Sequence, residues 1–313
     1  MSSARPTVRQ LEYIVAVAEQ LHFGRAAEAC AVSQPALSAQ VQQVEELLGV
    51  KVFERDRRKV LLTETGRDIV ARARAILAQV DALAHAAHAN MEPLAGPLHL
   101  GVIPTVAPYL LPYLLPAVRD AFPQLRLVLR EDQTARLVAR LGEGSLDVLL
   151  LALPVDAVFV ETMSLFDEPF VLAVPSDNEL ASSDAVTEAA LRSRTVLLLD
   201  DGHCLRDQAL QVCASAGATE SENVRATSLS TLVQMVANGL GITLLPELAI
   251  PVAVVERERI AIRRFDDTTP KRTIGLMWRA ASPRESEFRM LGKLIREIHV
   301  QALERVTQLL ADD

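Results

Sequence analysis

The chain has 313 residues, of which half are hydrophobic, 23% charged and only 4% aromatic. That length exceeds one ordinary core, and that composition excludes a disordered chain, a collagen-like repeat and a disulfide scaffold, so two or more globular domains are expected. The formal net charge of -8 would argue against nucleic acid if it were evenly spread, but residues 1–90 hold 11 Lys and Arg against 10 Asp and Glu, leaving 21 against 30 for the rest. The opening Met-Ser-Ser-Ala-Arg-Pro is followed by no apolar stretch, so no secretory signal is expected and a cytoplasmic location is. The longest apolar run, Gly239 to Val255, is broken by Pro246, Glu247 and Pro251, which predicts no membrane span.

In chain order, Thr7 and Gln10 form a capping box, and the spacing of Leu11, Ile14, Val15 and Ala18 predicts a helix from near Val8. A short Ala-rich helix is predicted over Gly24 to Cys30, and Ser33, with Pro35 in the first turn, opens a third that runs to Gly49. On the third helix Leu37, Val41, Val44 and Leu48 are expected to face inward, leaving Pro35, Ser38, Ala39, Gln42 and Gln43 outward. Lys51 to Arg55 and Lys59 to Leu62 read as short strands joined by the charged tip Asp56-Arg57-Arg58. Residues 1–65 are therefore expected to form a winged helix-turn-helix. A charge cluster alone is most simply a solvated loop. Set beside the third helix it points to double-stranded DNA, because phosphates are met by cations and base edges by short hydrogen-bonding side chains. The candidate contacts are Ser33, Gln34, Pro35, Ser38, Gln42, Arg55, Arg57 and Arg58.

Residues 66–90 are predicted to form a linker helix in which Ile69, Ala73, Ile76, Val80, Leu83 and Ala87 alternate spacings of four and three. Such a seam, with nothing in its own chain to cover it, predicts pairing with a second copy. Pro93, Gly96 and Pro97 then mark a hinge. Beyond it, strand-like runs alternate with helical segments in two βαβαβ units, and the late run Thr273 to Trp278 is placed to return to the first unit. The expected fold is α+β multidomain: the winged helix-turn-helix, the linker helix, and over residues 91–313 a two-lobed α/β domain that resembles periplasmic binding proteins. Lobe I takes about 97–166 and 270–313, lobe II about 167–269, and ligands of such folds sit in the cleft at the strand ends.

Of three cysteines, Cys30 is most simply core. Asp201-Gly202 and Gly217 bracket a predicted helix whose stripe is Leu205, Ala209, Val212 and Ala216. Cys204 falls in its first turn, where the helix end and the neighbouring His203 and Arg206 are expected to favour a thiolate. Cys213 lies beside the stripe, where a lone cysteine is ordinarily a small buried hydrophobe. Nine residues of helix rise ~13.5 Å, whereas a disulfide needs Cα atoms within ~7 Å. The two cannot bond while the helix is intact, and a bond between them would have to unravel it. Thr105 and Thr134 each begin a predicted helix after a strand, either as plain caps or with hydroxyls turned to the cleft mouth. No metal-ligand spacing, phosphate-cradling loop or catalytic triad is apparent, and no cofactor is expected.

The segments Phe23-Gly24-Arg25-Ala26-Ala27-Glu28, Ser33-Gln34-Pro35-Ala36-Leu37-Ser38, Glu45-Glu46-Leu47-Leu48-Gly49-Val50 and Leu62-Thr63-Glu64-Thr65-Gly66 resemble the amino-terminal domain of LysR-type transcriptional regulators. The similarity runs on through Ile103 to Pro112, Asp201 to Ala209 and Arg225-Ala226-Thr227-Ser228, which resemble the peroxide-sensing branch of that family. The resemblance implies that Cys204 is the peroxidatic residue, forming a sulfenic acid that Cys213 resolves as a disulfide. It further implies that Thr105, Thr134, His203, Arg206, Asp207 and Arg272 shape a hydrogen peroxide pocket. The partners it implies are a homodimer or homotetramer, promoter DNA and RNA polymerase, in control of oxidative-stress defence genes. Two departures stand out: Gln42 and Gln43 replace basic residues found in many relatives, and Asn223 stands where some have His. Other classes fit less well, since a thiol peroxidase has no use for a winged helix and a solute-binding transport protein would need export. The serious alternative is a LysR-type regulator that answers a small-molecule effector in the interlobe cleft and carries merely structural thiols.

Overall fold

The computed structural model describes residues 5–55, 59–88, 93–254, 257–266 and 269–311. Contacts divide the chain into two units, Met1–Glu92 with Gly142–Ser145, and Pro93–Leu141 with Leu146–Asp313. In the first, α1 (Val8–Gln20) opens on the reciprocal capping box: Gln10 N donates to Thr7 Oγ1 at 3.3 Å and Thr7 N to Gln10 Oε1 at 2.9 Å. Helix α2 (Phe23–Ala29) sits one residue earlier than spacing predicts, because His22 supplies the cap, its Nδ1 accepting from Arg25 N. Helix α3 (Gln34–Leu48) runs from Ser33 to Gly49, whose φ of +70° suits a residue without Cβ. Strands β1 (Phe53–Arg55) and β2 (Val60–Leu62) pair antiparallel. The turn between them, with Arg57 and Arg58, lies outside the described residues.

The core of this unit gathers Ile14, Val17, Ala26, Leu37, Val41, Val44 and Phe53. Leu48, expected inward, is instead exposed, and Glu45 is the residue that α3 buries near its end. The reason is a polar one. The Glu45 carboxylate accepts from Val52 N at 3.0 Å, Phe53 N at 3.1 Å and Lys51 Nζ at 2.9 Å, tying the helix to the strand that follows. Helix α4 (Glu64–His88) carries the predicted seam. Ala73 is buried and Ile69 packs on the core just described, whereas Ile76, Val80 and Leu83 are exposed, Leu83 by 74%.

The second unit comprises β3 (Gly96–Val102), α5 (Ala107–Ala121), β4 (Leu125–Glu131), α6 (Thr134–Gly142), β5 (Val148–Leu153), β6 (Val160–Pro175), β7 (Ala185–Val186), β8 (Thr195–Leu199), α7 (Cys204–Ala216), β9 (Thr219–Ala226), α8 (Leu229–Ala237), β10 (Thr243–Pro246), α9 (Ile250–Ala253), β11 (Ile260–Phe265), β12 (Lys271–Arg279) and α10 (Glu285–Ala311). One sheet runs β4-β3-β5-β12-β6-β11-β7, with β10 also on β6, while β8 and β9 pair separately. Strand β12 does return to the first lobe, antiparallel to β5 and lying between β5 and β6.

The sequence predicts a strand from Phe170 after a break at Glu168-Pro169, yet β6 is continuous and serves both lobes. Its first half pairs with β12 and its second with β10 and β11. The break is absent because Glu168 lies opposite Arg272, and the two form a buried ion pair at 2.7 Å. Strands β9 and β11 escape prediction because Glu220, Glu222 and Arg225 in one, and Arg263 and Arg264 in the other, mask the apolar alternation. No helix among the described residues is long and apolar enough to cross a membrane.

Glu45 offers a test of the first unit. Burial opposes its ionisation, but Lys51 and the N–H groups of Phe53 and Val52 outweigh burial and hold the carboxyl below its usual range. With the folded pKa lowered, the contribution is present above the unfolded value of ~4.3 and lost as pH falls through the folded one. Glu45→Gln should lower stability by about 1–3 kcal/mol. Hydrogen exchange at Val52 and Phe53 should accelerate, and the gap from wild type should narrow as pH drops from about 5 to about 3.

Candidate functional site

Cys204 is the first residue of α7, entered through Gly202 (φ +91°) and His203, whose side chain makes no cap hydrogen bond. It is half-buried, and with Ile103, Pro104, Thr105, Gln133, Thr134, Gly202 and His203 it lines a tightly packed niche. These residues follow the carboxyl ends of β3, β4 and β8, where α/β folds place their ligands. A wider cleft of about 1070 Å³ adjoins, lined by Thr134, Val138, Phe170, Asp207, Gln208, Lys271 and Arg272 among others.

Neither threonine is a plain cap. Thr105 is buried; its Oγ1 accepts from Arg272 Nη1 at 2.8 Å and its carbonyl from Nη2 at 2.9 Å, while Arg272 Nε donates to Glu168 at 2.8 Å. Arg272 thus holds the niche wall through Thr105, with its own charge engaged by Glu168. Thr134 is the first residue of α6, and its buried Oγ1 finds no partner among the described residues. An unpaired buried hydroxyl is costly unless something else fills its hydrogen-bonding capacity. Here it lines the niche beside Cys204. Gln208 Oε1, at the cleft wall one turn beyond Cys204, is unpartnered in the same sense.

The positive charges expected around the sulfur are placed differently. Burial lowers the pKa of His203 against the opposing pull of Asp200, so its ring is neutral near pH 7 and adds no cation. Arg206 lines neither cavity. Its guanidinium is gripped by Glu220, Nη1–Oε1 2.5 Å and Nη2–Oε2 3.1 Å, and by Asp201 Oδ1 at 2.9 Å, and Arg225 closes the cluster on Asp201 at 3.0 Å. Asp207 is exposed and borders only the wider cleft. What the fold leaves at Cys204 is the amino-terminal end of α7 and the positive end of its dipole.

Cys213 is buried with Leu172, Val196, Leu198 and Ala209, and burial, aided by Glu220, pushes its thiol from near 9 up to about 11. No disulfide links the described cysteines, and α7 is intact across the nine-position separation of Cys204 and Cys213. Its carboxyl end is tied down as well: Ala218 N donates to Cys213 O, and Ser193 N to Gly217 O. Cys30 is half-buried in the helix-turn-helix.

On α3, Ser33 spends its Oγ accepting from Ala36 N at 3.4 Å, so it caps the helix. Gln34 and Pro35 are exposed, Ser38 is half-buried, and Gln42 is exposed with Nε2 donating to Glu46 at 2.9 Å. Arg55 ends β1, and of its side chain nothing is described; exposed Lys59 precedes β2.

Residues 8–67 match the bacterial regulatory helix-turn-helix protein domain of the lysR family, and residues 92–298 the LysR substrate binding domain. The DNA-binding transcriptional dual regulator OxyR of Escherichia coli K12 is 47% identical over 291 residues, 92% of this chain and 94% of that protein. The chain belongs to the LysR family of transcriptional regulators, in its redox-sensing OxyR branch. Among solved structures, a full-length Pseudomonas aeruginosa OxyR with a cysteine-to-aspartate substitution matches with a TM-score of 0.79 at 39% identity, covering 93% of this chain and 98% of that one. A Corynebacterium glutamicum OxyR with a cysteine-to-serine substitution and H2O2 bound matches at 0.69 and 37%, covering 98% of each chain.

Sequence reasoning missed Gln133 and Gly202 in the niche wall, and Glu168 behind it. Gly202 carried a readable sign as the glycine just before a helix start. Gln133 and Glu168 gave none, because their partners lie far along the chain.

In the reduced protein, iodoacetamide at about pH 8 should label Cys204 well before Cys213, as read by peptide mass mapping. Because folding raises the Cys213 pKa, its burial stabilises α7 fully below pH 9, and that stabilisation is lost as pH rises through about 11. The ratio of Cys213 to Cys204 labelling should climb across that window.

Proposed function

We propose that this regulator senses hydrogen peroxide at Cys204 and transmits the signal to promoter DNA by refolding α7 around a Cys204–Cys213 disulfide. The observation that carries the reading is the niche, whose lining brings a helix-terminal cysteine together with an unpartnered buried hydroxyl. The H2O2-bound state of the Corynebacterium relative supports peroxide as the occupant. The Cys204 thiolate attacks one oxygen; an S–O bond forms as the O–O bond breaks, giving the sulfenic acid and hydroxide, which takes a proton to become water. Sulfur is oxidised and peroxide reduced. The Cys213 thiolate, once drawn from its core, attacks that sulfur; an S–S bond forms as the S–O bond breaks, and the hydroxide released takes a proton to become a second water. Thr134 offers hydrogen bonding to the incoming peroxide, and Arg272 holds Thr105 in place.

In this reading the exposed end of α3 and the basic turn of Arg57 and Arg58 meet double-stranded DNA. Two copies pair along Ile76, Val80 and Leu83 of α4, and dimers combine into a tetramer that addresses RNA polymerase in the cytoplasm. The thiol chemistry is a signal and not turnover, so the protein is no enzyme and requires no cofactor. The size of the cleft beside the niche favours one second reading, a small-molecule effector bound there with passive thiols.

Stopped-flow oxidation with sulfenic acid trapping separates the two. Cys204→Ser should abolish the fast reaction with peroxide. Cys213→Ser should still react at Cys204 but accumulate sulfenic acid, which over-oxidises or is capped by an outside thiol. Cys204→Ser reacting as fast as wild type would sink the sensor reading and favour the effector. For DNA, replacing Arg57 and Arg58 by Ala should weaken gel-shift binding on all fragments alike, and log Kd should respond to log salt with a slope reduced by about 0.9 per lost phosphate contact.

A further inference from the structure

Besides the segment after β3, the wall of the niche includes two turns, one before α6 and one before α7. The Gln133 side chain joins these two. Gln133 Nε2 donates to the Asp201 carbonyl at 3.2 Å, and because a carbonyl only accepts, the amide nitrogen must face it. The same amide lies flat on Gly202: a Cβ built there would stand 2.8 Å from Gln133 Oε1 and 2.9 Å from Nε2. The φ of +91° favours glycine at 202, and a side chain there would push the Gln133 amide aside.

Gln133 occupies the cap position of α6, its carbonyl accepting from Leu137 N at 3.0 Å, where Ser, Thr, Asp or Asn would ordinarily stand. It leaves the capping to its neighbour. Asp132 Oδ1 accepts from Gln133 N at 3.0 Å and from Arg136 Nη1 at 3.4 Å, which pins the Gln133 backbone and frees the side chain to reach the other lobe. The next residue is Thr134, with the unpartnered hydroxyl, and two residues beyond Gly202 is Cys204.

We propose that Gln133 is a positioning residue for the peroxide reaction: its amide docks the Asp201-Gly202 turn onto the start of α6 and so sets Cys204 Sγ against Thr134 Oγ1 across the niche. This rests on the reading of Cys204 as the peroxide-reactive thiol. Removing the donor loosens the gap between the two groups without altering either. Loss of one aligning hydrogen bond should slow a geometry-dependent attack about tenfold, while an alkylating agent that needs only an accessible thiolate is indifferent.

The test compares full-length reduced wild type with Gln133→Leu and Gln133→Met, neither of which can donate, Met serving should Leu fail to fold. Two second-order rates are measured at Cys204, with H2O2 and with iodoacetamide, the latter across pH. The expected result is an about tenfold loss toward H2O2 with the iodoacetamide rate and its pH profile unchanged. Peroxide rates within twofold of wild type would overturn the proposal, and so would equal losses toward both reagents, since those would mean a displaced or shielded thiol. If wild type itself fails to react rapidly at Cys204, the sensor reading falls, not merely the role of Gln133.

Discussion

An α-helix advances ~1.5 Å per residue, and that pitch keeps the two cysteines of α7 apart. Cys204 and Cys213 stand nine positions apart on α7, one at a helix terminus beside a small niche, the other in an apolar cluster. Both ends are fastened. At the amino end Arg206 joins the helix to Glu220 on β9, and Asp201 and Arg225 extend the cluster; at the carboxyl end Gly217 turns the chain with its carbonyl held by Ser193 N. Drawing the two sulfurs together would therefore have to undo a bidentate ion pair, a helix and a buried side chain at once.

The charges around the site are committed to structure. Arg272 lies wholly buried between Glu168 and Thr105, Arg206 between Glu220 and Asp201, and His203 is kept neutral by burial. Removing one member of a buried pair strands the other at several kcal/mol, which makes these groups walls and ties. Chemistry near the sulfur is left to backbone dipoles and uncharged donors, a setting suited to an uncharged reactant.

Local signals in the sequence were legible: the capping box at Thr7, the cap at Ser33, the stop at Gly49 and the full extent of α7 from Cys204 to Ala216. Each rests on residues within one or two turns of one another. Long-range polar pairing was not. Glu168 and Arg272 are 104 residues apart, and their union turns an apparent strand break into the middle of β6. Glu45 looks like one more surface acid of an amphipathic helix until Val52 and Phe53 are seen to need its oxygens. At the site, the cysteines and threonines could be found from type and spacing. Whether His203 carries a charge, and what Arg206 grips, depend on burial and on β9, a strand whose own charges concealed it.

The position of β12 has a consequence for how the chain is made. Lobe I is begun by β3, β4 and β5, but the strand that pairs with β5 on its far side and carries the sheet on to β6 is Lys271–Arg279. During synthesis, more than a hundred residues must emerge before that strand exists. Until then β5, with the buried Leu149, Leu150 and Leu151, presents an unpaired edge. Lobe II can assemble in the interval, but β6 cannot complete its pairing in lobe I without the late strand. A chain lacking that strand would thus carry an open apolar edge, the kind of surface that chaperones shield.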